Sequence, residues 1–181
     1  DIERGKALVN KAIELGINTF DCHHRYGNCE EIVGQFDNIV KMTKISAYKY
    51  EERYKLLEES IHKLKNIDIL IISDLDNEEL YRTGEEMFRD FKEDYRFMGI
   101  TTEDSILAHR FMTQHPECKV FMVPIFIGRD DMARFTKLAQ LEGKPVMAIK
   151  TFCDKLLLKD YRLKECTDFV KQANPDIIII G

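Results

Sequence analysis

The sequence predicts an α/β fold: a (β/α)8 barrel of the TIM-barrel type, incomplete in this chain, with seven strands and seven helices. Helical and strand-like segments alternate strictly, with roughly 25 residues in each repeat. Several strand segments, such as residues 69–72, are apolar on both faces, as strands covered on both sides are. No glycine-rich phosphate-binding motif follows any strand, which weighs against the competing fold, an open doubly wound sheet.

The spacing of apolar residues places the elements in order. The first helix is predicted over residues 4–15, where Gly16 ends it. The helix near residue 104 has Thr102 or Asp104 placed to cap it. The remaining helices are predicted over residues 30–36, 50–64, 78–90, 104–115, 130–142 and 161–173. The strands are predicted over residues 17–22, 39–45, 68–73, 95–101, 120–126, 146–152 and 177–180.

Length and charge limit the possible functions. The chain has 181 residues, which suits a single domain over residues 1–181. It carries 27 Lys and Arg against 32 Asp and Glu, a formal net charge of -5. We therefore expect no nucleic-acid partner. We also expect no membrane span, because the longest apolar runs are far shorter than the ~20 residues that a span needs.

The cysteines indicate a reducing compartment. Their number is odd and no C-x-x-C pair is present, which argues against a secreted disulfide framework and against a zinc ribbon. A cytoplasmic location follows as an expectation. The sequence begins at Asp1 without an initiator Met, so it is expected to be a fragment or a processed piece.

The segment from Cys22 to Cys29 contains His23 and His24 and invites comparison with a metal site. Adjacent side chains on an extended segment point in opposite directions, so the two imidazoles are not expected to converge. The ligand spacing also matches no standard zinc site. We therefore expect no bound metal.

Three side chains near predicted strand ends suggest proton-transfer chemistry. Asp21 lies near the end of the first predicted strand, Tyr26 follows that strand, and Lys44 lies near the end of the second. In a parallel barrel such strand ends meet at one mouth. An ammonium beside a phenol favours the phenolate, and a carboxylate can hold the ammonium in place. A tyrosine in this setting can give a proton to a carbonyl oxygen while a hydride reaches the carbon.

These residues lie in motifs that resemble those of the aldo/keto reductase family, of the bacterial and archaeal type. The most specific match is NTFD at residues 18–21, followed by YGN at 26–28 and EEIVG at 30–34. Supporting matches follow in the same order along the whole chain: residues 40–44, 57–64 with 67–68, 97–101 and 143–150.

The resemblance implies roles for individual residues. Asp21, Tyr26 and Lys44 match three of the four catalytic positions, and Ser73 stands where the family has a histidine. A serine hydroxyl there can donate one hydrogen bond but is never cationic. Asp21 and Thr101 match positions near the cofactor.

Other residues remain open. Thr102 is a doubtful match to the second residue of the family's carboxamide-holding pair. Lys150 is either a cofactor contact or a solvated lysine at the rim. His24 could stand in for the missing histidine.

The resemblance implies NADPH, or NADH, as cofactor and a small-molecule carbonyl compound as partner, with the protein a monomer or weak homo-oligomer. The family's first strand and its C-terminal cofactor-phosphate segment are expected to lie outside this sequence. The numbered chain alone should then bind NADPH weakly or not at all.

Two functions compete. The first is an NADPH-dependent oxidoreductase that reduces an aldehyde or ketone by hydride transfer, with a tyrosine as proton donor. The alternative is a catalytically impaired relative that acts as a binding or regulatory subunit. The intact Asp21, Tyr26 and Lys44 favour the first function, and Ser73 favours the second. A third possibility, an isomerase or aldolase on a similar barrel, lacks a motif of its own.

Overall fold

The computed structural model describes residues 1–153 and 156–180. Seven α-helices and seven β-strands alternate along the described residues. The helices are α1 (Ile2–Glu14), α2 (Cys29–Val33), α3 (Arg53–Leu64), α4 (Glu78–Phe91), α5 (Ser105–Gln114), α6 (Asp130–Leu141) and α7 (Leu163–Ala173). The strands are β1 (Thr19–Asp21), β2 (Val40–Ser46), β3 (Ile69–Ser73), β4 (Phe97–Thr101), β5 (Val120–Pro124), β6 (Val146–Ile149) and β7 (Ile177–Ile178).

Every predicted helix and strand is present, and the differences lie at their ends. The predicted helix over residues 50–64 opens instead as a 3-10 helix, Ala47–Glu52, with non-helical backbone at Lys49 before α3 begins. A second 3-10 helix spans Leu156–Lys159. None of the helices in the described ranges has both the length and the apolar character needed to cross a membrane.

The chain divides into two compact units, of which the first comprises Asp1–Ser73 and Thr83–Met98. Its strands pair in parallel, β1 with β2 and β2 with β3. The register sets Asp21 beside Met42 and Lys44 beside Ile71, and it ends with Ser46 beside Ser73. This register fixes which side chains share a face of the sheet.

Helices α1, α2 and α3, together with the loop after β1, supply one part of the core of this unit. One buried cluster of this unit is formed by Val9, Cys22, Val33 and Leu64. Gly34 lets the end of α2 approach α3 closely, since a Cβ at residue 34 would lie 1.9 Å from the carbonyl oxygen of Lys63. Any larger residue there would force the two helices apart.

The second unit comprises Asp74–Arg82 and Gly99–Gly181. Its strands also pair in parallel and in chain order, β4 with β5, β5 with β6 and β6 with β7. A Cβ at Gly99 would lie 2.0 Å from the carbonyl oxygen of Val120, so β4 needs glycine beside β5. Asp104 caps α5 by accepting from the backbone N–H groups of Ile106 and Leu107, at 2.8 and 3.2 Å.

Candidate active site

Asp21 and Lys44 meet across the first two strands. Residues paired in a parallel sheet project to the same side, and so do residues two apart on one strand. Asp21 is paired with Met42, and Lys44 follows Met42 by two residues, so both charged side chains lie on one face. The Lys44 Nζ donates a hydrogen bond to Asp21 Oδ2. The ion pair expected from the strand ends is therefore present.

This ion pair is largely removed from solvent, with 6% of the Lys44 side chain and 12% of the Asp21 side chain exposed. Burial raises the pKa of Asp21 above its ordinary value, and the Lys44 ammonium opposes that shift without cancelling it. The second oxygen, Asp21 Oδ1, is buried and has no hydrogen-bond partner among the described residues. The carboxylate thus holds Lys44 with one oxygen and keeps an acceptor on the other.

Tyr26 completes the cluster from the loop between β1 and α2. The Lys44 Nζ lies 5.0 Å from the centroid of the Tyr26 ring, which is a cation–π distance. Tyr26 itself is 53% exposed, so its ring covers the ammonium while remaining open to solvent. A hydrogen bond within the loop stabilises its turn: the backbone N–H of Tyr26 donates to the His23 carbonyl at 2.8 Å. The structure therefore brings Asp21, Tyr26 and Lys44 together.

The two histidines of this loop do not diverge as expected. The ring centroids of His23 and His24 are 4.2 Å apart, and the His23 ring lies 5.3 Å from the Tyr26 ring. The expectation assumed an extended segment, whereas the chain turns here and the backbone N–H of Arg25 donates to His23 Nδ1 at 3.0 Å. The prediction of opposed imidazoles was therefore wrong, because a turn aligns neighbouring side chains that an extended strand separates.

His24 lies against the backbone of Lys44, with its Nδ1 3.3 Å from the Lys44 carbonyl oxygen. Burial lowers the pKa of His24 below 6.5, which favours the neutral ring. Because the carbonyl can only accept, the Nδ1 carries the proton and the Nε2 keeps a lone pair. That Nε2 is buried and has no hydrogen-bond partner among the described residues.

Ser73 ends β3 on the same face as the ion pair. It pairs with Ser46, which follows Lys44 by two residues on β2, and Lys44 shares its face with Asp21. Only 2% of Ser73 is exposed. The strand register thus places the Ser73 hydroxyl on the face that carries Lys44, two residues closer to the C-terminal ends of the strands.

The other predicted cofactor residues belong to the second unit. Thr101 ends β4 and is half-buried. Lys150 follows β6 in the left-handed backbone region, with φ of 57°, and its Nζ donates to Glu103 Oε1. Strand β6 was predicted to run to residue 152, so Lys150 lies in the loop after the strand rather than within it.

Thr102, the doubtful match, supports the loop after β4. Its hydroxyl donates to the Leu75 carbonyl at 2.7 Å, and the backbone N–H of Asp104 donates to the same hydroxyl oxygen at 3.1 Å. Thr151 was not singled out from the sequence, yet its hydroxyl is buried without a hydrogen-bond partner among the described residues. Nothing in the sequence around Thr151 predicts that its hydroxyl is buried.

Glu30 is a buried support of the site that the sequence analysis treated only as part of a motif. It is 2% exposed, its Oε1 accepts from the Thr43 hydroxyl at 2.6 Å, and its Oε2 lies 3.7 Å from the Lys63 Nζ. Thr43 directly precedes Lys44, so this bond anchors the strand that carries the lysine. Helical spacing could have found it, because Glu30 and the buried Val33 are three residues apart and share a face of α2.

No group of three or more His, Cys, Asp or Glu side chains arranged to hold a metal ion occurs in the described part of the chain.

The sequence itself matches no protein-family model, and no curated protein matches it. Solved structures, by contrast, match over nearly the whole chain.

A candidate aldo-keto reductase from Pseudomonas aeruginosa is 20% identical with a TM-score of 0.76, and the match covers 100% of this chain and 78% of that one. An aldo-keto reductase from Brucella melitensis is 19% identical with a TM-score of 0.69, covering 97% of this chain and 72% of its own. The holo form of an aldo-keto reductase from Bacillus halodurans is 18% identical with a TM-score of 0.68, covering 85% and 59%.

The chain has the aldo-keto reductase fold. This fold is a (β/α)8 barrel, of which the described residues carry seven strands and seven α-helices. The barrel prediction is therefore confirmed over the open doubly wound sheet.

Proposed function

We propose that the protein is an aldo-keto reductase that uses NADPH, or NADH, to reduce an aldehyde or ketone, with Tyr26 as the proton donor. The observation that carries this proposal is the buried Asp21–Lys44 ion pair beneath the Tyr26 ring. The aldo-keto reductase fold supports it independently.

The chain's own residues fit a nicotinamide cofactor at this site. Asp21 Oδ1 is a buried acceptor without a hydrogen-bond partner among the described residues, and an amide or hydroxyl of a bound molecule would supply the missing hydrogen bond. Thr101 and Lys150 remain predicted cofactor contacts. The Lys150–Glu103 ion pair is partly exposed, so water competes with it.

The bound nicotinamide would supply the hydride that reduces the carbonyl carbon. Tyr26 would donate its hydroxyl proton to the carbonyl oxygen as negative charge develops there. The Lys44 ammonium would stabilise the phenolate that remains, and Asp21 would keep that ammonium aligned. Ser73 would donate a second hydrogen bond to the carbonyl oxygen.

The proposal also includes the substrate class, the cellular location and the oligomeric state. The substrate is a small carbonyl compound, and we place the protein in the cytoplasm as a monomer or weak homo-oligomer. A single barrel domain over residues 1–181 is part of the same proposal.

A second candidate function rests on Ser73. A hydroxyl replaces an imidazole at the position that the family resemblance assigns to carbonyl orientation, and this favours a binding or regulatory protein with weak turnover. The two candidates agree on cofactor binding and differ in hydride transfer.

The experiment that separates them measures binding and transfer in parallel. The fluorescence of NADPH and of NADH is titrated with the full-length protein, and each cofactor, carrying two deuterium atoms at the reactive carbon, is then incubated with a panel of aldehydes and ketones. A reductase forms alcohol containing one deuterium per reduced cofactor consumed. Lys44→Met should reduce this rate by about 10²-fold or more, because a buried charge that stabilises the transition state is lost. Lys55→Met, at an exposed position, is the matched control and should leave the rate unchanged.

Binding without deuterium transfer to any carbonyl would favour the regulatory candidate and reject the enzyme. Neither binding nor transfer would reject both. Equal rates in the Lys44→Met and Lys55→Met variants would show that the ion pair is not the reaction centre.

A further inference from the structure

Two thiols meet where the loop that carries Tyr26 begins and ends. The Sγ atoms of Cys22 and Cys29 are 3.3 Å apart and hydrogen bonded. Cys22 directly follows β1 and is fully buried, whereas Cys29 opens α2 and is partly exposed. Both cysteines are in the thiol form.

The backbone holds the two thiols in place. The Cys22 N–H donates to the Met42 carbonyl at 2.8 Å, and the Cys29 N–H donates to the Tyr26 carbonyl at 3.1 Å. A disulfide brings the sulfur atoms to about 2.0 Å, so the pair must close by about 1.3 Å. Side-chain rotation at the partly exposed Cys29 can supply most of that movement without rebuilding the strand.

We propose that Cys22 and Cys29 form a thiol–disulfide exchange site that reacts with small disulfides of the glutathione type. Cys29 is the attacking thiol, because it is the partly exposed member of the pair. Cys22 is the resolving thiol, because it is buried and touches Cys29.

The hydrogen bond between the two thiols favours the same division of roles. The hydrogen bond with Cys22 lowers the pKa of Cys29, against the opposing effects of burial and of the Asp21 and Glu30 carboxylates. The same hydrogen bond, together with burial, raises the pKa of Cys22. Cys29 therefore ionises first, and the thiolate is the form that attacks a disulfide.

The exchange proceeds in two steps. Cys29 gives its proton to solvent, and its sulfur attacks one sulfur of the small disulfide, whose S–S bond breaks to release one thiol. Cys22 then loses its proton and attacks the Cys29 sulfur, which breaks the mixed disulfide and releases the second thiol. The protein loses two electrons and two protons, and the small disulfide is reduced to two thiols.

The product would close a covalent ring over residues 23–28. That ring contains Tyr26, His23 and His24, so oxidation would restrain the loop that covers Lys44. The exchange chemistry itself does not depend on carbonyl reduction.

The test incubates the reduced full chain with oxidised glutathione, blocks remaining thiols with N-ethylmaleimide, and maps the digest by mass spectrometry. The expected result is a Cys22–Cys29 crosslink, with loss of two hydrogen atoms, that dithiothreitol reverses. Cys153, a partly exposed thiol, is the internal control and should react about tenfold more slowly than Cys29. Full alkylation of both Cys22 and Cys29 after Cys153 has already reacted would overturn the proposal.

Two variants resolve the order of the steps. Cys22→Ser should accumulate Cys29 with one glutathione attached, and Cys29→Ser should leave Cys22 unreacted. Cys166→Ser, which removes a different buried thiol, should retain the crosslink. Reaction of Cys22 at an unchanged rate in Cys29→Ser would contradict the assigned roles. If a variant fails to fold, the mass-spectrometric peptide map of the wild-type protein still tests whether the Cys22–Cys29 crosslink forms.

Discussion

The Lys44 ammonium and the Asp21 carboxylate form an ion pair from which water is almost excluded. In such a pair the loss of hydration competes with the mutual attraction of the charges. Here burial outweighs the attraction, since the pKa of Asp21 stays above its ordinary value despite the neighbouring ammonium. A buried ion pair of this kind adds little to the stability of the fold. Its burial is better explained by the need to hold the Lys44 ammonium in one position.

Removing one partner of the pair should destabilise the fold. Asp21→Asn leaves the buried Lys44 ammonium without its counter-charge, and loss of a buried partner costs about 3 kcal/mol in the free energy of unfolding. Urea denaturation at neutral pH measures the difference. The matched control is Glu14→Gln, which breaks the exposed Lys11–Glu14 pair and should have little effect. Equal midpoints for Asp21→Asn and wild type would mean that the ion pair is not formed in solution.

Tyr26→Phe tests the proton donor. The substitution removes the hydroxyl and keeps the ring over Lys44, so cofactor binding should survive while kcat falls by about 10²–10⁴-fold. Initial rates of NADPH oxidation give kcat, and fluorescence titration gives the cofactor Kd. Tyr48→Phe, at another exposed tyrosine, is the control. Unchanged turnover in Tyr26→Phe would assign the proton to another group, with neighbouring His24 the next to test.

The fold could be predicted from the sequence because the same alternation of helical and strand-like patterns recurs along the chain. Most helices show an apolar face and most strands a short apolar run, and the predicted existence and order of the elements were correct throughout. The ends were harder to place, since an apolar run does not mark where strand pairing stops. Residues 125 and 126 continue the apolar character of β5, yet the strand ends at Pro124.

The site could be predicted only where it depends on strand ends. Asp21 and Lys44 converge because parallel pairing fixes their shared face. The contacts made by the loop after β1 could not be predicted, because its turn sets the direction of each side chain. The same limit explains why Cys22 and Cys29, seven positions apart, gave no sign of touching.

Thr43→Val should show that the strand carrying Lys44 is anchored by Glu30. The substitution removes the hydroxyl that donates to Glu30 Oε1 and leaves a buried carboxylate oxygen unsatisfied. The expected loss is about 1–3 kcal/mol in the free energy of unfolding, measured in urea. Thr113→Val is the control, because Thr113 is exposed and its hydroxyl donates to the His109 carbonyl of the same helix. A loss no larger than that of the control would contradict a role for this hydrogen bond.

Asp131 should make stability depend on pH in the acid range. Two hydrogen bonds from Arg129, each 2.9 Å, lower the pKa of Asp131 from 3.8 to about 2. The unfolded chain then binds more protons than the folded one between these values, so stability is lost as pH falls through that window. Asp131→Asn should lower stability at neutral pH by at most about 1 kcal/mol, since solvent screens a side chain that is 38% exposed.

Urea denaturation at several pH values checks this prediction. The difference between Asp131→Asn and wild type should be complete at neutral pH and shrink as the pH approaches 2. A difference that stayed constant across the acid range would show that the carboxylate is not titrating in this way.

Ser73→His asks whether the serine limits the reaction. Ser73 lies on the face that carries Lys44 and Asp21, so an imidazole there can donate to the carbonyl oxygen that we propose Tyr26 protonates. One such donor is worth about 10²–10³-fold in kcat, and a rise of about tenfold is expected from an imperfectly placed ring. Ser73→Ala should lower kcat, because it removes the hydroxyl already present. Ser73 is buried, so the larger ring carries a packing cost, and thermal unfolding of each variant separates that cost from catalysis. A folded Ser73→His protein with lower kcat, beside an unaffected Ser73→Ala, would show that this position does not contact the reacting carbonyl.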